Sequence, residues 1–254
     1  MFNRTLMIGG LFAAIAGGQA AGQITGSPHD LSGVIFATDN GEICVYCHTP
    51  HGSRTDIEVP LWNKPASLGS RLIGYTAYDS TTADGDVLAV GSVSIACLTC
   101  HDGTQATDEV INAPGSGLGT GKISRYGVMS QNIAANLGLD LRDDHPIGVQ
   151  YGGFDPGTGV IDPGFRTDEL QKETIGGINR WWVDTSVGSE GKLDKTDMIL
   201  YTRNNPNGGE QNVGEDQPFV ECASCHDPHK GGGSPNFMRI ANTNSDVCLA
   251  CHMK

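Results

Sequence analysis

All eight cysteines of this 254-residue chain fall in four copies of one pentad, C-x-x-C-H, and none is left over. The copies are Cys44, Cys47 and His48; Cys97, Cys100 and His101; Cys222, Cys225 and His226; and Cys248, Cys251 and His252. This is the spacing of covalent c-type haem attachment. Two thiols three residues apart on one turn of backbone add to the two vinyl groups of a single porphyrin, and the adjacent histidine reaches the iron from one face. A lone C-x-x-C also reads as a redox dithiol or as half of a zinc site. Neither of those, nor a disulfide framework, explains why a histidine follows every pair. The expected cofactors are four c-type haems with their iron, attached through the eight cysteines.

The start of the chain bears on compartment. Arg4 supplies a positive n-region, Leu6 to Ala16 an apolar stretch, and Gly18-Gln19-Ala20 small residues at the cleavage positions. This pattern predicts a signal peptide over residues 1–20, cut before Ala21. The apolar stretch is short of the roughly 20 residues a bilayer span needs, and no cysteine stands at the cleavage site to carry a lipid. Haem is ligated to C-x-x-C-H after export, so motif and leader agree on a secreted, extracellular or cell-surface protein, with the periplasm as the alternative.

Composition then limits the core. Aromatic residues make up only 6% of the chain, against 36 glycines and 12 prolines, so large side chains are too few to fill an interior. Four apolar porphyrins would stand in for them. The fold class expected is a multihaem cytochrome c: mostly irregular coil, short helices at the attachment motifs, little sheet, and the haem stack as the core. The formal net charge of −13, one unit more negative without Arg4, argues against nucleic acid and anionic membrane as partners. It suits cationic partners, metal ions or minerals, and equally plain solubility.

Four of the eight histidines are the proximal ligands His48, His101, His226 and His252, which leaves His29, His51, His145 and His229. Four irons need four distal ligands. The match predicts bis-histidine, six-coordinate, low-spin haems of low potential, since a methionine ligand would raise it. Met129, Met198, Met238 and Met253 are the substitutes available.

Along the chain, residues 21–254 read as one tetrahaem domain. An arm over 21–43 carries His29, a first motif pair occupies 44–101, a cysteine-free linker 102–221 contains only His145, and a second pair occupies 222–254. Within the linker the pattern predicts a short helix around Ser130 to Leu137 and a strand around Met198 to Thr202. Trp181 and Trp182 are expected to cover a haem edge, with gating of electron flow or substrate binding as the other roles open to them.

A weak internal repeat joins the two ends. Cys44-Val45-Tyr46-Cys47-His48-Thr49-Pro50-His51 parallels Cys222-Ala223-Ser224-Cys225-His226-Asp227-Pro228-His229. In each, a spare histidine lies three residues after a proximal one, too near to loop over to the far face of the same haem. It is expected to reach a neighbouring haem, which requires haems packed nearly in contact. Taken one step toward the N-terminus, the rule sends His229 to haem two and His51 to a haem outside the chain. His29 then caps haem one, and His145 serves haem three or four.

These C-x-x-C-H-x-P-H segments, with Asp144-His145-Pro146-Ile147 and the terminal Val247-Cys248-Leu249-Ala250-Cys251-His252, resemble the doubled C-x-x-C-H multihaem cytochromes of metal-reducing bacteria. Four motifs, the Ala21-Gly22-Gln23-Ile24-Thr25-Gly26-Ser27-Pro28-His29 start and the missing lipid site resemble, more narrowly, the tetrahaem cytochromes that polymerise into extracellular filaments. That resemblance implies a continuous stack of bis-histidine haems, with one histidine ligating a haem of the adjacent subunit. The crossing histidine is expected to be His51, with His29 as runner-up.

Three functions therefore compete. The first is an electron carrier rather than an enzyme, passing electrons to other redox proteins or to extracellular acceptors such as metal oxides, in a polymer. The second is a monomeric periplasmic shuttle. The third, a multihaem oxyanion reductase, needs an iron with an open position, which the histidine count disfavours.

Overall fold

Among the described residues, the second pentad lies at the end of the longest helix, α1 (Ser92–His101). Residues i, i+3 and i+4 share a helix face, so Cys97, Cys100 and His101 stand together, while Ala96 and Leu98 are buried on other sides. Gly103, at φ +67°, turns the chain away just past its end. The other three pentads start in single turns: a 3-10 turn over Ile43–Tyr46, α2 (Cys222–Cys225) and α3 (Asp246–Leu249). The structure, a computed structural model, describes residues 24–33, 41–67, 69–70, 74–76, 87, 89–115, 127–154, 161–175, 178–185, 191–202, 217–230 and 235–253. The signal-peptide expectation lies outside these. Among the described residues, no helix is long and apolar enough to cross a membrane.

Short helices at the motifs agree with the sequence, but the expectation of irregular coil with little sheet is overturned. A five-stranded antiparallel sheet, ordered β1-β5-β4-β3-β2, is built from β1 (Val149–Gln150), β2 (Leu170–Ile175), β3 (Ile178–Val183), β4 (Met198–Thr202) and β5 (Pro218–Val220). Every strand falls in the linker between the motif pairs. Composition averaged over the whole chain concealed this, because glycine and proline crowd the connections while Trp181-Trp182-Val183 and Met198-Ile199-Leu200-Tyr201-Thr202 concentrate β-forming residues. The strand expected at Met198–Thr202 is present.

Register places the core. Trp181 pairs with Leu200 and Val183 with Met198, and alternate residues of a strand share one face. These four bury together with Tyr151, Phe154, Ile161 and Ala250, and against them pack Cys225 and Cys251 of the third and fourth pentads. The sheet is thus the platform under the C-terminal motif pair. Trp181 belongs to the cluster against which the attachment cysteines pack, and its own ring lies edge-on to Phe154 at 5.2 Å. The N-terminal motifs rest on far less: Tyr46 alone is buried in one cluster, and Val90, Leu98 and Leu141 form another.

The helix expected around Ser130 to Leu137 is instead a pair of turns, closed by Ile133 N–H to Ser130 C=O and Asn136 N–H to Ile133 C=O. The Asn136 side chain donates to the Met129 carbonyl at 2.8 Å and accepts from Gly138 N–H at 3.0 Å. An asparagine bonding nearby backbone in this way competes with helix formation.

Candidate functional site

The pentads outside α1 share one backbone construction. His48 N–H donates to the Cys44 carbonyl at 2.8 Å, His226 N–H to Cys222 at 3.1 Å, and His252 N–H to Cys248 at 2.9 Å. This helical closure brings both thiols and the imidazole onto one turn. All eight cysteines are free thiols.

A second feature recurs at three of the four proximal histidines. Nδ1 of His48 donates to the Pro60 carbonyl, Nδ1 of His101 to Ala135 and Nδ1 of His226 to Asn236, each at 2.7 Å. A carbonyl only accepts, so the proton sits on Nδ1 and Nε2 keeps its lone pair for a metal; such a bond to the second nitrogen orients a ligating histidine. The carbonyls lie 12, 34 and 10 residues downstream, on loops that carry no sequence mark of this role. The Ser130–Leu137 turns exist in part to present Ala135. His252 is held differently, by the Phe165 ring at 4.6 Å between centroids and a backbone bridge to that residue.

Two spare histidines face proximal ones across a gap of matching width. His229 lies 6.1 Å from His48 between ring centroids, at 14°. His29 lies 6.1 Å from His101, at 74°. Both partners differ from the one-step rule. The rule gave His229 to motif two and left His29 for motif one; in the fold His229 lies against motif one and His29 against motif two. His29 is seated by Phe237, whose ring stacks on it at 4.2 Å, and by a hydrogen bond to the Pro228 carbonyl. Burial, and then His101, lower the pKa of its imidazole, against the hydrogen bond to Pro228.

His145 sits close to both His252 and His226; desolvation, ahead of those two neighbours, lowers its pKa. His51 is exposed; its carbonyl accepts from Asn112 Nδ2 at 2.6 Å, and among the described residues no ring contact sets it against another histidine. Of the methionines considered as ligands, Met198 is fully buried in the sheet core and Met253 is half exposed.

Asp227, which sequence reasoning passed over, follows His226 directly and lies with Oδ1 3.4 Å from His229 Nδ1, while also accepting the His229 N–H at 2.9 Å. The Asp-Pro-His spacing was the available signal. Hydrogen bonding to His229 first holds the Asp227 carboxyl down to about 2, against partial desolvation. A depressed folded pKa contributes stability above the unfolded carboxyl value that is lost as pH falls toward the folded one. Acid titration of stability should therefore show a loss between about pH 4 and about pH 2 that Asp227→Asn flattens by about 1 kcal/mol, a figure reduced for solvent screening. An unchanged acid limb in the variant would remove Asp227 from this role.

The thiols record which motifs adjoin. Burial, then Cys100, push Cys47 up to about 11. Cys97 is raised by its hydrogen bond to Cys222 and by burial. Burial raises Cys225 to about 11, with Cys248 adding to it, and burial followed by Cys225 raises Cys251 to about 12. Motif one thus meets two, two meets three, and three meets four.

The residues present fit a porphyrin with carboxylate side groups. Trp62 Nε1, Arg54 Nη1 and Gln105 Nε2 are buried donors with no acceptor among the described residues. Trp62 forms a backbone bridge with His48 and lies 6.0 Å from its ring, while Gln105 follows His101 by four residues. Buried donors are costly unless satisfied, and propionates are the acceptors such a cofactor brings. Among the described residues, no three His, Cys, Asp or Glu side chains converge to hold a metal ion unaided.

Residues 212–254 match the family described as the doubled CXXCH motif. No curated protein matches the chain. The match spans the third and fourth pentads and their turns, and it supports a multihaem c-type cytochrome, a haem-binding protein of electron-transfer type.

Proposed function

We propose that this chain is a secreted tetrahaem electron conduit, one haem on each pentad, whose subunits join head to tail into a conducting filament. The observation that carries the relay is the facing of His48 with His229 and of His101 with His29, both at 6.1 Å. Two metal–imidazole bonds of about 2 Å, with about 1.1 Å from each nitrogen to its ring centre, make about 6 Å, so each gap has the width of a bis-histidine iron. In each pair the two rings come from different motifs or from the arm, which forces neighbouring haems close. The thiol neighbours supply the order one, two, three, four.

The assembly step follows from what is left. Motifs three and four present His226 and His252, with His145 beside both, so one iron lacks a ligand of its own chain. His29 is engaged at motif two, and exposed His51 is the histidine free to cross to an adjacent subunit. A contact that repeats head to tail without closing generates a filament. Electron microscopy of the secreted fraction should show fibres whose chains begin at Ala21 and carry four low-spin haems. His51→Ala should disperse them and leave one high-spin haem per chain. Dispersed wild-type subunits with four low-spin haems would establish the monomeric shuttle instead, and a stoichiometric high-spin haem in wild type the reductase.

A further inference from the structure

Motifs one and three are built as the same module. His48 and His226 each donate from Nδ1 to a downstream carbonyl, of Pro60 and of Asn236, at 2.7 Å. The next N–H in each, of Thr49 and Asp227, donates to the next carbonyl, of Leu61 and Phe237, at 2.8 Å. Asn63 and Arg239 then donate back, from the main chain to Cys47 and Cys225, again at 2.8 Å, and from the side chain to the carbonyls of Val45 and Ala223. Leu61 therefore occupies in module one the place that Phe237 occupies in module three. Both hold left-handed backbone, at φ +56° and +59°. That conformation is costly for residues with such side chains, and strain kept in a fold gathers at functional positions.

In module three the task is visible. Phe237 stacks on His29 at 4.2 Å and 10°, while the Pro228 carbonyl takes the hydrogen bond of that imidazole. The module's own spare histidine, His229, faces motif one, and the histidine that Phe237 backs faces motif two. One module thus completes two adjoining motifs, the first with its own imidazole and the second by walling an imidazole carried on another segment. In module one both parts are open: Leu61 is 49% exposed, and His51 is exposed as well. His145 is a histidine that lacks such a wall. It lies beside His252 and His226, and its Nδ1 donates to the carbonyl of the next residue, Pro146, at 3.1 Å. The acceptor that Pro228 gives His29 is therefore already supplied, but among the described residues no ring stacks on His145.

We propose that Leu61 is a docking contact for a second copy of this chain: it walls the His145 imidazole of the neighbouring subunit, as Phe237 walls His29 within one chain, while His51 of the same module enters the adjoining motif. The joint between subunits then repeats the joint inside each one. Module one stands to motifs three and four of the neighbour as module three stands to motifs one and two at home. A leucine covers an imidazole face less fully than a stacked phenyl ring does, so the joint between subunits is the looser of the two.

The inference rests on the filament reading, and haem-loaded fibres test it. Leu61→Gly, which suits the left-handed backbone, removes the wall and leaves His51 in place. Its fibres should disperse at an about tenfold lower concentration of added imidazole, a competitor for axial positions, than wild type, and Leu61→Phe fibres should need more than wild type. Radical footprinting of the unaltered site supplies a second measurement: Leu61 should be oxidised in dispersed His51→Ala subunits and protected in wild-type fibres. Unchanged dispersal of loaded Leu61→Gly fibres would overturn the inference. So would free oxidation of Leu61 in wild-type fibres, which decides the matter if the Leu61 variants fail to load haem. The two readings fail differently: wild-type subunits that form no fibres defeat the filament and this contact with it, whereas intact fibres with Leu61 open defeat only the contact.

Discussion

Replacing His229 with alanine is expected to turn one low-spin haem per chain high-spin, and the haem affected should be that on motif one. His229 is held by Asp227 at 3.4 Å with its ring toward His48, so its removal opens that iron to water or to a small ligand. His29→Ala should do the same at motif two, where His29 faces His101. Loss of an axial imidazole from a bis-histidine haem alters spin state and potential together, so both paramagnetic resonance and carbon monoxide binding should report one newly open haem. Combining His48→Met with His229→Ala identifies the site: if the two residues share an iron, a single haem is perturbed. Two perturbed haems would show that His229 serves another motif.

Blocking haem attachment is expected to abolish cooperative folding. In residues 41–67, Tyr46 and Ile57 are the only apolar side chains that are buried, and ordering the backbone costs about 1 to 2 kcal/mol per residue. Two side chains cannot offset that, and the α1 cluster adds only Val90, Leu98 and Leu141. With all eight cysteines changed to serine, the chain should lose its melting transition, and proteolysis should cut the N-terminal motif pair first. The sheet side is the more resistant part, because Trp181, Val183, Met198 and Leu200 bury against one another. A compact apoprotein with one sharp thermal transition would refute the expectation.

The attachment chemistry was legible because it is local. Two cysteines with their histidine in every pentad mark an attachment site within five residues, and the helical closure from histidine N–H to first-cysteine carbonyl needs nothing from elsewhere. The count of spare histidines was equally plain. The sheet was less visible, although Ile175-Gly176-Gly177-Ile178, a two-residue glycine pair between β-branched residues, is a hairpin signal, and β2 and β3 pair over six residues from Leu170↔Val183 to Ile175↔Ile178. Whole-chain averages of glycine and aromatic content hid it.

By itself, then, the sequence determined where the four C-x-x-C-H pentads lie, which histidines are spare, and that those after each Pro-His turn sit three residues from a motif histidine. Only the tertiary structure decided which neighbour each one meets. The Glu221–Ser94 contact joins residues 127 apart, and the stacking of His29 on Phe237 ties the arm to the far end of the chain. Such pairings depend on how the linker folds: β1 pairs with β5 and β5 with β4, and this sets motif three beside motif two. Long-range contacts of this kind carry no local spacing rule, because they arise from the burial of one sheet face and not from the residues that end up touching.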